Sequence, residues 1–419
     1  MRIVNELYRL KPIAPKTDIS TMENLMDELG NPQRKLRFVH VGGTNGKGSV
    51  SAMLNQILID SGYKVGLYTS PHLFRFNERI RINNRLIPDS DLRQLYSKAM
   101  GAVRKAGLQP GFFDVTTAIA FCYYAEKNVD IVVLEVGLGG RLDATNIVNA
   151  DVSVITNVTL EHTDKLGNTI AKIAREKAGI VKPDTVLVTS VMKPDAITEI
   201  RKQVRKVKAV CIDSNKAVRI KRISQNLTGQ AFTAKSREAD YGRLRIRLAG
   251  EHQLRNAGVA ITVAEQLRKK GWKISRTSLR KGLANARWPG RFEVVRKNPV
   301  IIVDSGHNED GMRAVSKTVE ALIPEKIVLV IGISDTKDHD KMLSLIAPLA
   351  KKIIVTQAKY RGTDTGILAS LAGKYCRDVK QVKDAGRAVN YARKNAGRKD
   401  VILVSGSIFV IDEALRALV

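Results

Sequence analysis

The chain has 419 residues, more than one ordinary domain holds, and its 44% hydrophobic and 5% aromatic content describes an aliphatic-rich globular protein rather than a disordered or disulfide-stapled one. Its apolar runs, such as Ile131–Leu134 and Ile327–Ile333, are far shorter than the ~20 residues that span a bilayer. Seventy Lys and Arg against forty-one Asp and Glu leave a net charge of +29, which implies attraction to anionic partners without specifying a fold. Between Arg201 and Arg247 there are fourteen basic and three acidic residues with few interleaved aromatics, so the pattern reads as a solvated basic surface before a nucleic-acid face. The start, Met1-Arg-Ile-Val-Asn-Glu-Leu-Tyr8, lacks the pattern of a signal peptide, and a cytoplasmic protein is expected. Cys122, Cys211 and Cys376 are far apart and never in C-x-x-C spacing, which argues against a disulfide framework or a cysteine-rich zinc site.

In chain order the predicted elements alternate. Strand Arg37–Val41, helix Lys47–Ser61, strand Lys64–Tyr68, helices Asp89–Ala106 and Thr116–Lys127, strands Asp130–Val136 and Val152–Asn157, a helix near Thr169–Lys177 and strand Thr185–Thr189 form the first run. Lys208–Ala249 changes character, and short alternating stretches such as Arg243–Ala249 predict a small antiparallel sheet. Helices Gln253–Lys270 and Ser275–Ala284 lead to the break Trp288-Pro-Gly-Arg291. Strands Val300–Asp304, Lys326–Gly332, Lys352–Thr356 and Asp400–Ser405, with a helix at Gly311–Ala321, then restart the alternation. The expected fold is α/β: a parallel-sheet domain with a small antiparallel subsheet over residues 1–294, whose first strand and helix flank the Gly42–Ser49 loop that makes it a P-loop-type ATPase domain, then a smaller Rossmann-like α/β domain over 295–419.

The sharpest local signal is Gly42-Gly-Thr-Asn-Gly-Lys-Gly-Ser49, set between a predicted strand and a predicted helix. Glycines there let backbone N–H groups face an anion at the positive end of the helix, Lys47 neutralises outer phosphates, and the Ser49 hydroxyl is available to Mg²⁺. The strict G-x-x-x-x-G-K-[ST] spacing is not met, because Val41 stands at its first glycine and Gly48 follows the lysine. Glu135 closes an apolar strand just before Gly137-Leu-Gly-Gly140, and His162 follows the next predicted strand, both where α/β sheets present ligand-binding groups. With Ser49 and Ser70, Glu135 makes an oxygen set suited to a hard cation, although alone it also suits a structural carboxylate. Phe113 and Asp114 offer a flat ring one stacking face and one acceptor. Phe74 and Phe76 suit either a mobile aromatic cover or the core.

Taken with Gly43–Ser49, several ordered strings carry a resemblance: Thr69-Ser-Pro-His-Leu73, Glu78-Arg-Ile80, Glu135–Asn146, Glu161-His162, Arg175-Glu-Lys-Ala-Gly-Ile180, Gly250-Glu-His-Gln253, Trp288-Pro-Gly-Arg291, and Asp304 with His307-Asn308. Together they resemble the folylpolyglutamate synthase and dihydrofolate synthase branch of the Mur ligase superfamily over nearly the whole chain. The resemblance implies an ATP-dependent ligase that joins L-glutamate to a pterin or folate carboxylate through an acyl phosphate. ATP would be held by Thr44, Asn45, Gly46, Lys47, Gly48, Ser49 and Val50, with Asn256 at the adenine, Arg291 at the phosphates and Asp304 at the ribose, across the domain boundary. Lys47, His307, Lys177 and Arg291 would serve the reaction. Two Mg²⁺ ions would involve Ser49, Ser70, Glu135 and His162, and Lys177, carbamylated, would become an anionic ligand. Asp18, Ile19, Ser20, Phe112, Phe113, Asp114, Leu142, Asp143 and Ala144 would face the pterin-bearing substrate. The sequence departs from the family at Asp304-Ser-Gly-His-Asn-Glu309, at Thr336-Lys-Asp338 and at Asp114, where glutamate is usual. The alternatives are a Mur-type amino-acid ligase with another acceptor and, from a different class, a nucleic-acid-associated P-loop ATPase. A monomer acting on small molecules, with no membrane or nucleic-acid partner, is the expectation.

Overall fold

A computed structural model describes residues 2–10 and 18–418. Eight strands form the first sheet: β1 (Phe38–Gly42), β2 (Val65–Tyr68), β3 (Ile80–Ile82), β4 (Arg85–Leu86), β5 (Ile131–Glu135), β6 (Val152–Ile155), β7 (Val186–Thr189) and β8 (Val210–Asp213), in the order β4-β3-β2-β5-β1-β6-β7-β8. All of it from β2 to β8 is parallel, while β3 and β4 add an antiparallel edge. Residues of β1, β2, β5 and β6 are buried throughout, which is why these strands are mostly apolar, with buried polar exceptions such as His40 and Ser153: a parallel sheet is covered on both faces.

The helix predicted from Thr116 begins at Phe112 and runs to Glu126. Its first turn is closed by Asp114, whose Oδ2 accepts the Gly111 N–H at 2.9 Å, a cap built from an unusual pair of residues. The Lys208–Ala249 stretch divides. Val210–Asp213 joins the parallel sheet as β8, and only β9 (Val218–Asn226), β10 (Gly229–Ser236) and β11 (Asp240–Ile246) make the small sheet. The short links between these three strands require antiparallel pairing.

The last sheet contains β12 (Glu293–Lys297), β13 (Val300–Asp304), β14 (Ile327–Ile331), β15 (Ala350–Gln357), β16 (Val379–Asp384) and β17 (Val401–Ser405), ordered β12-β13-β17-β14-β15-β16. Only β12 is antiparallel to its neighbour. Two compact units emerge: the first reaches Ile220 and adds Ala234–Leu244 and Arg255–Ala286, and the second holds Lys221–Thr233, Arg245–Leu254 and the chain from Arg287 onward. The boundary expected after residue 294 falls inside β12, which is hydrogen-bonded to β13, so the division moves back to Ala286. Each unit has its own apolar core, one around Phe38, Tyr68, Phe121 and Tyr124, the other around Ile302, Leu329, Ile353 and Leu403.

At the amino edge of the first sheet the Trp272 indole N–H donates to Asp151 Oδ2 at 3.2 Å, Arg37 lies 5.5 Å above the ring, and Tyr63 meets it edge-on at 4.9 Å. Arg37 also pairs with Asp151 at 2.7 Å. No helix among the described residues is long and apolar enough to cross a membrane.

Candidate active site

The turn after β1 depends on two glycines. Gly43 has φ +136° and Gly46 φ +85°, and a Cβ would lie 1.9 Å from Thr156 Oγ1 at the first and 2.7 Å from Asn256 Oδ1 at the second. The helix Lys47–Asp60 starts directly behind Gly46, which offers no side-chain cap, so its leading amides remain suited to an anion. Val50 closes the first turn by donating its N–H to Gly46 O at 2.9 Å, and its side chain lies in the core. Gly48 and Ser49 are buried in the same turn.

Residues beyond β6 fasten this loop. Asn45 donates its N–H to Asn157 Oδ1 at 2.6 Å, Thr44 donates its N–H to Asn157 O at 2.9 Å, and the Thr156 hydroxyl donates to Asn45 O at 2.6 Å. Thr159 N–H reaches Thr44 Oγ1 at 3.1 Å. Sequence reasoning missed Asn157, Thr156 and Thr159; their position just past an apolar strand was the available signal. Two ammonium groups face the loop from opposite chain segments. Lys47 Nζ donates to Gly43 O at 3.1 Å and Thr44 O at 3.0 Å, and Lys177 Nζ donates to the same Gly43 O at 2.9 Å. Lys177 sits near the end of the helix Ile170–Ala178 and is buried, contrary to the usual surface lysine of a charged helix. Burial first, and then the charge of Lys47, push its pKa down to about 7.

β2, β5, β1 and β6 are consecutive in the sheet and parallel, so their carboxyl ends share one edge. That edge brings Ser70 and Glu135 together: Ser70 N–H donates to Glu135 Oε2 at 3.1 Å, and Glu135 is buried. The adjacent helix start, just past the loop after β1, carries Lys47 and Ser49. His162, with φ +51°, begins the short helix Thr163–Leu166 beyond β6 and is exposed. Among the described residues no three His, Cys, Asp or Glu side chains cluster as a self-sufficient metal site. A carboxylate and serine hydroxyls on one edge instead suit a hard cation that takes its remaining oxygens from phosphates and water.

The residues expected at the acceptor substrate have mixed placements. Asp18 is exposed and accepts the Ser20 N–H at 3.0 Å and hydroxyl at 2.6 Å, with Ile19 before the helix Ser20–Glu28. Phe112 stacks on Tyr8 with centroids 4.9 Å apart, and Phe113 packs against Tyr68 at 5.8 Å. Asp114 and Ala144 are buried, and Leu142 is half-buried. Asp143 is the centre of a buried chain: Oδ2 accepts the Leu138 N–H at 2.8 Å, and Oδ1 accepts the Thr145 N–H at 3.0 Å and hydroxyl at 2.5 Å. His40 Nε2 lies 2.8 Å from that hydroxyl; since Thr145 donates to Asp143, His40 donates to Thr145. Burial, followed by the charge of Lys182, pushes the His40 pKa down to about 3, so the ring is neutral. Asp143 thereby pins the Gly137–Gly140 turn that follows Glu135.

In the second unit the structure brings the charges of Arg291 and His307 to bear on Asp304, at the end of β13. Asp304 Oδ2 accepts the Phe292 N–H at 2.8 Å and Oδ1 the Gly306 N–H at 2.7 Å. Burial raises its pKa, opposed chiefly by the Arg291 charge. Ser305 N–H and hydroxyl both reach Gly290 O, and His307 Nδ1 lies 2.9 Å from Ser305 O. Asn308 caps the helix Glu309–Leu322 through Gly311 N–H at 2.8 Å, which survives the departure at Glu309. Asn256 lies in the helix Glu251–Lys269, against Gly46.

Comparison with known proteins agrees with these features. Residues 41–264 match the Mur ligase middle domain and residues 290–408 the Mur ligase glutamate ligase domain. The dihydrofolate synthase/folylpolyglutamate synthase of Bacillus subtilis is 34% identical, covering 96% of this chain and 95% of that one. A Haloferax volcanii protein named "Probable bifunctional folylpolyglutamate synthase/dihydropteroate synthase" is 36% identical over 98% of this chain, which spans 49% of that relative's length. The Mycobacterium tuberculosis folylpolyglutamate synthase complexed with ADP superposes with a TM-score of 0.91 at 31% identity, covering 100% of this chain and 97% of that one. Its two Mur ligase domains, its phosphate loop and these full-length likenesses place the chain in the folylpolyglutamate synthase family.

Proposed function

We propose that the chain is an ATP-dependent ligase that joins L-glutamate to the carboxylate of a pterin-bearing acceptor, as a dihydrofolate synthase, a folylpolyglutamate synthase or both. The observation that carries this reading is the Gly43–Ser49 loop, fastened by Asn157 and lined by Lys47, on the sheet edge where Ser70 meets Glu135. In the proposed reaction an acceptor carboxylate oxygen attacks the γ-phosphorus of ATP, the bond to ADP breaks, and an acyl phosphate results. The glutamate amine then attacks the acyl carbon, loses a proton, and phosphate leaves as the amide forms. Such transfers need positioning and charge stabilisation more than a nucleophilic side chain.

Lys47 exchanges its loop carbonyls for phosphate oxygens when the nucleotide binds, so its charge reaches the transferred group. The leading amides of the helix Lys47–Asp60 orient the phosphate chain. Mg²⁺, which Ser49, Ser70, Glu135 and His162 would hold, supplies neutralisation of phosphate charge when bound. Lys177 fits the further reading of a carbamylated ligand: with a pKa near 7 part of its amine is neutral at physiological pH, able to add to CO₂ with loss of a proton. Asn256, Arg291, Asp304 and His307 are assigned to the nucleotide in the same proposal. The first unit is the ATP-binding domain and the second the glutamate ligase domain, and the enzyme acts as a cytoplasmic monomer.

The test is ADP release with Mg²⁺, L-glutamate and either dihydropteroate or tetrahydrofolate, with product mass read in parallel. A gain of one glutamyl unit on dihydropteroate establishes dihydrofolate synthesis, and extension of tetrahydrofolate establishes polyglutamylation. Glutamate-independent ATPase activity stimulated by duplex DNA or RNA would refute the proposal.

A further inference from the structure

Arg79 is a charge without a counter-ion among the described residues. It directly precedes β3, and its residue is only 7% exposed. Its Nε–H donates to His72 Nδ1 at 3.0 Å, and its guanidinium carbon lies 5.2 Å from the Phe112 ring centre and 5.9 Å from that of Phe76. No carboxylate among the described residues pairs with it, and Nη1 and Nη2 have no protein acceptor there. Aromatic faces and one imidazole nitrogen compensate only part of the cost of withdrawing a guanidinium from water. Such a group is stable in place when a ligand brings the missing anion.

The place is informative. Thr69 N–H donates to Arg79 O at 3.0 Å, so Arg79 is fastened beside the turn that delivers Ser70 to Glu135. Phe112, which lies against the guanidinium, neighbours Phe113, whose ring packs on Tyr68 at the end of β2. The wall thus combines flat apolar surface with a planar fork of donors, matched to a carboxylate carried on an aromatic ring. We propose that Arg79 is the docking group for the carboxylate of the acceptor substrate, with its two terminal nitrogens as the donors. His72, by accepting from Nε, fixes the plane of the fork. This inference rests on the proposed ligase reading, since that reading supplies an aromatic acid as acceptor.

The test measures binding, without turnover, of pteroate and its neutral carboxamide to the full chain holding the non-hydrolysable nucleotide AMPPCP. The wild type should prefer the acid by ~10- to 100-fold, the range of one or two charge-assisted hydrogen bonds. Arg79→Gln should lose that preference while binding AMPPCP as the wild type does, which also shows that it folds. Arg79→Lys should retain part of the preference. Preserved discrimination in Arg79→Gln overturns the assignment of Arg79 alone. Absence of pteroate binding to a wild type that binds AMPPCP overturns both this inference and the acceptor reading.

Discussion

Replacing His40 by glutamine should make the stability of the first unit less sensitive to acid, by an amount that follows from its burial. In the native chain the imidazole is enclosed beneath the sheet edge, neutral, with a pKa pushed from the ordinary 6.5 to about 3. Unfolding returns it to the ordinary value. Between these two values the unfolded chain holds one more proton than the native one, so native stability falls as pH drops below 6.5 and the loss is complete only near 3. Each unit corresponds to about 1.4 kcal/mol, so at pH 5 the wild type has lost about 2 kcal/mol from this residue relative to pH 8. Glutamine can still donate an N–H to Thr145 but does not titrate. Urea unfolding of both proteins at pH 8 and pH 5, followed by circular dichroism, isolates the residue because the remaining groups cancel in the difference. The stability of the wild type relative to His40→Gln should fall by about 2 kcal/mol on acidification. An unchanged difference would refute the buried histidine held neutral by its enclosure.

The phosphate loop is testable in parts. Asn157→Ala leaves the Asn45 N–H without its side-chain acceptor and should weaken AMPPCP binding about tenfold in calorimetry. Gly43→Ala places a methyl against Thr156 Oγ1 at a backbone angle that only glycine tolerates, and should cost more than Asn157→Ala in the same assay. Lys47→Ala removes the charge expected at the phosphates and should reduce AMPPCP affinity ~10- to 100-fold without lowering thermal stability by more than about 2 kcal/mol, since the ammonium's hydrogen bonds among the described residues go to loop carbonyls. For Lys177, ¹³C-bicarbonate should produce a carbamate resonance in the wild type that is missing in Lys177→Met; its absence from both would remove the carbamylated ligand from the proposal.

Strands of the parallel sheets were legible because burial on both faces favours apolar runs, as in Ile131–Leu134 and Ile327–Ile331. The loop at Gly43–Ser49 was legible because glycine, lysine and serine each have a physical task there. What stayed hidden depended on partners distant in sequence. Asn157 and Thr156 hold the loop from more than a hundred residues away, and neither residue type announces it. Lys177, to which only the resemblance gave a role, is buried against Gly43 by packing that no local pattern records. The start of the helix at Phe112 was obscured because Gly111 and Asp114 close it without the usual hydroxyl cap, and the Val294 boundary because β12 pairs forward with β13. Alternation within Lys208–Ala249 gave the small sheet but absorbed β8, an edge strand with an exposed face.

Trp272 has a practical consequence. Its ring is gripped by Arg37, Asp151 and Tyr63, residues that precede the strands β1, β6 and β2, whereas the phosphate loop and Glu135 lie past strand ends. Optical emission from this indole therefore tracks whether the first unit is assembled and stays quiet when a nucleotide occupies the other edge. With Trp288, the second tryptophan of the chain, replaced by phenylalanine, folding and occupancy become readable in one cuvette as separate signals, Trp272 reporting the former and an added chromophoric nucleotide the latter.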